Sequence, residues 1–179
     1  MENFQIIFLS VVLVTAATID LRSQKIPNII TYPSMLIALT FHTITNGTEG
    51  LLFSAGGIAT GTALLIIPYL MGGMGAGDAK LMGAIGGVLG AKAVLFAFFL
   101  IAAVGGIYAL IIVGVYRSHF RGFFSKQFDT LTNLILTRKY IPDTEGIKKN
   151  KPRLCYGLAI ALGTGIYLIL ETTGYKFFS

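Results

Sequence analysis

Six apolar stretches divide this chain, at about residues 4–19, 29–45, 51–71, 78–91, 93–116 and 154–170. Hydrocarbon offers no partner to a backbone amide, so such stretches must satisfy their own hydrogen bonds and are read as helices. Only 12% of the 179 residues are charged and 54% are hydrophobic, where a soluble domain carries about 25% charge. The expectation is an all-α polytopic membrane protein of six transmembrane helices, one integral-membrane domain covering residues 1–179. The first stretch is preceded by Glu2 and by no basic residue, unlike a cleaved signal peptide, and is expected to stay as a helix.

The breaks between stretches are short. Asp20 to Asn28 holds Arg22, Lys25 and Pro27; Asn46-Gly47 reads as a turn; Gly72 to Gly77 is rich in glycine; Lys92 marks another turn. Pro68 is expected to kink the third helix near its end. Gly83, Gly86, Gly87 and Gly90 give the fourth helix small residues four apart, a spacing that lets neighbouring backbones come close.

The formal net charge is +6, and nine of the 14 Lys and Arg residues lie in one loop, 117–153. With six helices, the breaks at 20–28, 72–78 and 117–153 fall on one side. That side holds 12 of the 14 basic residues, so it is read as cytoplasmic, with both termini outside. Phe120, Phe123, Phe124, Phe128, Leu131, Leu134 and Ile135 recur in the loop at helical spacing. They suit an amphipathic helix, either in the interface or packed on the bundle. Anionic lipid is the expected partner of the loop; no nucleic-acid platform accompanies it. Cys155, His42 and His119 are too few and too scattered for a metal site, and no cofactor is expected.

Two acids stand out against this background. Asp20 ends the first apolar stretch, and Asp78 opens the fourth within Gly75-Ala76-Gly77-Asp78-Ala79-Lys80. Charge at membrane depth is expensive and marks a functional site by default. The topology puts both acids on the same side at the same depth. Two close carboxylates cannot both ionise easily, so one stays protonated while the other takes a proton from water, which is what peptide hydrolysis needs. Gly75 and Gly77, lacking side chains, would let an extended substrate strand approach Asp78. A plainer reading makes Asp78 the cap of its helix. Lys80 is read as a supporting residue, or as a side chain that snorkels to the interface.

Gly75 to Lys80 matches the G-x-G-D-x-K signature of type IV prepilin peptidases, a family of GxGD aspartyl proteases. Asp20 followed by Ile26-Pro27-Asn28 resembles their first-aspartate motif. Cys155-Tyr156-Gly157-Leu158-Ala159-Ile160-Ala161-Leu162-Gly163 resembles the family's P-Y-G-x-A-I-A-x-G stretch, with cysteine in place of proline. The resemblance implies a catalytic pair, Asp20 and Asp78, supported by Gly75, Gly77 and Lys80. It implies cleavage of a short basic leader from prepilin-like proteins at the cytoplasmic boundary of the inner membrane. The first cytoplasmic loop is short and has no paired cysteines. The chain is therefore similar to the protease-only branch serving tight-adherence pili or archaeal flagellins and pilins, without N-methyltransferase activity. Two other readings stay open: a small proton- or cation-coupled transporter or channel subunit, and a non-catalytic assembly scaffold.

Overall fold

The computed structural model describes residues 3–70, 74–115 and 156–173. Among these, all regular structure is helical: α1 Asn3–Ser23, α2 Asn28–Leu70, α3 Ala76–Leu89, α4 Ala91–Val115 and α5 Tyr156–Thr172. The chain falls into two compact units. Met1–Gly106 with Cys155–Ser179 forms the first; of the second, Ile107–Leu154, only the end of α4 is described. The basic loop with its amphipathic segment, His119 and Cys155 lie outside the described residues.

Among the described residues, three helices are long and apolar enough to cross a membrane: Asn3–Ser23, Asn28–Leu70 and Ala91–Ile111. α1 shows why the surroundings must be apolar. Leu9, Val12, Leu13, Ala16, Ala17 and Asp20 form its buried stripe, the i, i+3, i+4 face of a helix. The opposite face is just as greasy, with Ile7, Val11 and Val14 more than half exposed. At about 1.5 Å per residue its 21 residues match a hydrocarbon core of roughly 30 Å. α3 and α5, at 14 and 17 residues, are shorter than such a span.

α2 has 43 residues, which as a straight rod would reach roughly 65 Å, twice the membrane core. It does not run straight. Gly47 breaks the helix with φ 60 and ψ −136, a left-handed conformation that suits glycine. The two arms, 28–46 and 48–70, fold back on each other. The rings of His42 and Phe53 are 4.8 Å apart. Farther along, Ala38 and Ile58 both meet Gly87, and Met35 and Thr62 both meet Gly83. Position numbers rise on one arm as they fall on the other, so the arms are antiparallel. The turn expected at Asn46-Gly47 is there. Pro68, expected to kink the second arm, lies within a helix that continues to Leu70 with helical dihedrals.

α3 lies between these arms and is buried from Asp78 to Leu89 except at Lys80. Missing side chains make that possible. A Cβ on Gly57 would collide with the backbone of Gly86, and one on Gly61 with the carbonyl of Met82. The small-residue spacing read from sequence is thus a backbone-to-backbone crossing of α2 and α3. α3 passes to α4 through Gly90 alone, at φ 84, and Phe53 lies where a side chain on Gly90 would stand. α5 makes a similar crossing: a Cβ on Gly163 would stand 2.5 Å from the Cα of Ile101 on α4.

Candidate active site

Asp20 lies in the last turn of α1, on the same face as Leu9, Leu13 and Ala16. Residues three and four apart share a helix face, so its register carries the carboxylate inward, where it is 4% exposed. α1 ends just beyond it. The Gln24 amide bonds the Asp20 carbonyl at 2.7 Å, and Gln24 takes the left-handed conformation, φ 52, common just past a helix end. Four residues, 24–27, then lead into α2. Among them Ile26 is buried against Gly77, where a Cβ would stand 2.8 Å from the Ile26 carbonyl oxygen. The link after Asp20 is therefore seated on the start of α3.

α3 starts two residues earlier than the sequence suggests. Gly75 is its N-cap, with φ −83 and ψ 151, and Asp78 is its third residue. The Gly75 N–H donates to Asp78 Oδ2 at 2.9 Å, the reciprocal half of a capping box. Asp78 is 8% exposed, whereas Gly75 and Ala76 are at the surface. So Asp78 does serve its own helix end, as the plainer reading held, but from position three rather than as the cap.

The structure brings the two acids together. Their charges fall within electrostatic reach of each other. α5 comes to the same place: the Gly157 N–H donates to Asp20 Oδ2 at 3.0 Å, in a buried setting. Tyr156, half-buried, is within electrostatic reach of Asp78. Three helices distant in sequence thus converge on one pair of carboxylates.

The remaining candidates divide. Gly75 commits its amide to Asp78, and Gly77 gives its open face to Ile26. Lys80 turns toward the start of α2. Its Nζ donates to Asn28 Oδ1 at 2.9 Å and stands 4.9 Å above the centre of the Tyr32 ring. His42, which the sequence does not mark as a metal ligand, is buried and bonds the Val88 carbonyl through Nε2 at 3.2 Å. A cavity of about 490 Å³ opens at the other end of α3, among Leu52, Leu89, Lys92, Tyr167 and Glu171, away from the acids. Sequence reasoning missed Gly157 and Ile26 as members of the site. The only available signals were the Tyr-Gly pair at the head of the last apolar stretch and the Ile-Pro-Asn element after Asp20.

With this geometry in view, the comparisons with known proteins are specific. A model of the type IV leader peptidase family matches residues 7–110, over half of the chain and including both acids. The chain belongs to the type IV leader peptidase family. Within it, the prepilin leader peptidase/N-methyltransferase of Bacillus subtilis (strain 168) is 33% identical over 106 residues. The match covers 58% of this chain and 42% of that relative. No solved structure gives a significant match.

Proposed function

We propose that this protein is a membrane aspartyl endopeptidase that removes short basic leaders from type IV prepilin-like precursors. The observation that carries the reading is the convergence of two buried carboxylates, Asp20 and Asp78, in a chain of this family. One carboxylate, ionised, takes a proton from a water molecule. The resulting hydroxide attacks the scissile carbonyl, whose oxygen receives the proton of the other acid. The first acid then gives its proton to the amine as the carbon–nitrogen bond breaks, and a hydroxyl of the tetrahedral intermediate returns a proton to the second acid, which completes hydrolysis and resets the pair. Close like charges favour such a singly protonated state, and its titration belongs to the pair.

In this reading Gly75, Gly77 and Lys80 support the acids. Gly75 holds Asp78, Gly77 seats the link after Asp20, and Lys80 ties the start of α3 to that of α2. The exposed backbone at Gly75 and Ala76 is the side from which an extended peptide reaches the pair. The substrate is a hydrophobic helix behind a basic leader, cut at the cytoplasmic edge of the inner membrane. Six spans with both termini outside, and a basic loop on anionic lipid, complete the proposed arrangement. The methyltransferase function in the relative's name is left out for this chain. Only four residues join α1 to α2, and Cys155 has no second cysteine to pair with in these 179 residues.

The test is co-expression with candidate precursors carrying a basic leader before a hydrophobic segment, with products read by mass spectrometry. A product beginning at the leader–helix junction is expected. If no such precursor is cut by membrane-folded protein, and liposomes instead show an ion flux that Asp78→Asn removes, the transporter reading replaces this one.

A further inference from the structure

The first amides of a helix have no partner inside it. α5 begins at Tyr156, and its Gly157 amide turns not to solvent but to Asp20 Oδ2, 137 positions away in sequence. The approach leaves no room for a side chain. A Cβ on residue 157 would stand 2.8 Å from that oxygen and 3.0 Å from both Cβ and Cγ of Asp20. Residue 157 also lies outside the 7–110 segment that the family model matches.

Asp20 needs outside help. It sits near the C-terminus of its own helix, where the carbonyl dipoles disfavour negative charge. Asp78, third in α3, has a favourable helix N-terminus of its own and the Gly75 amide besides. The N-terminus of α5 gives Asp20 what α1 cannot: a donor aimed at one oxygen and the positive end of a helix dipole.

We propose that Gly157 is a positioning residue for Asp20. Its amide fixes the carboxylate's orientation and favours the ionised form, and its missing side chain permits the approach. This rests on the peptidase reading above. α5 contributes no acid to the pair, yet its docking sets one of them.

The test compares pH–rate profiles of precursor cleavage for purified wild type, Gly157→Ala, Gly163→Ala and Asp20→Asn. Gly163 is on the same helix but packs on Ile101, so its variant loosens α5 without touching an acid. Gly157→Ala is expected to cleave about 100-fold more slowly, the effect of an ångström-scale misplacement. The acidic limb of its profile, which belongs to the pair, should move to higher pH, because a carboxylate that loses a donor ionises less readily. Gly163→Ala should lower thermal stability and leave that limb in place. Should Gly157→Ala fail to fold, a backbone ester at position 157 removes the N–H without adding a side chain and should give the same displacement. Wild-type rate and profile in Gly157→Ala, an unmoved limb in the ester, or an equal displacement in Gly163→Ala would each overturn the proposal. Full cleavage by Asp20→Asn would overturn the reading beneath it.

Discussion

The two ends of α3 meet the same physical demand in different ways. At its C-terminal end the carbonyls of Gly87 and Val88 lack helical partners. Ser54 Oγ donates to the first at 2.9 Å and His42 Nε2 to the second at 3.2 Å, one from each arm of α2. Both bonds are buried, one from a hydroxyl and one from an imidazole. At the N-terminal end the Gly75 amide is met by a carboxylate, and a second buried carboxylate, on α1, lies within electrostatic reach of the first. A neutral glutamine can make the same reach-back bond from the third position of a helix. The C-terminal end shows that this fold closes a buried helix end without an acid. Capping therefore describes the geometry of Asp78 and does not explain why an acid occupies it.

The contrast can be broken by substitution. The largest free-energy effect should come from the crossing that holds both ends in place. Gly86→Leu forces a side chain into the Gly57 backbone and should cost about 3 kcal/mol or more, seen as loss of monodisperse protein and of cleavage together. Ser54→Ala and His42→Ala each leave a buried carbonyl without its donor. Each should lower unfolding stability by roughly 1–3 kcal/mol, while cleavage per folded molecule stays at the wild-type rate. A large loss of specific activity in either would mean that the two ends are not separable. Smallest should be Lys80→Met, which removes one exposed hydrogen bond and a cation–π contact worth about 1 kcal/mol or less. Cleavage should then fall less than tenfold, since about 1.4 kcal/mol corresponds to a factor of ten. Complete inactivation would show that the ammonium leaves Asn28 to act at the acids.

What the sequence made legible was mostly local. Asn46-Gly47 announced a reversal because few residues but glycine accept the dihedrals found at Gly47. Glycines four apart announced a close crossing, although not that its partner would be Gly57 and Gly61 of the second arm. The acids were legible as charges out of place. Their neighbours were legible as members of motifs and not by what they touch, because tertiary contacts have no periodic signature. Ile26 stands in the Ile-Pro-Asn element and Gly157 in the Tyr-Gly stretch, but neither pattern tells that Ile26 lands on Gly77 or that the Gly157 amide meets Asp20. Lys80 lies two residues from Asp78, yet the helix turns its side chain toward Asn28. The boundary of α3 was misplaced for a related reason: glycines at 75 and 77 argue against helix, and packing on Ile26 overrides them.

The central claim is that Asp20 and Asp78 act as one catalytic pair. It is tested most directly by measuring precursor cleavage by Asp20→Asn and Asp78→Asn in membranes, alongside the thermal stability of each. Asparagine keeps the shape and removes the ionisable group. Either variant should lose cleavage by about 10²–10⁴-fold, the range for a missing acid or base, with stability unchanged or raised as a buried charge disappears. Cleavage at the wild-type rate by either well-folded variant would contradict the claim.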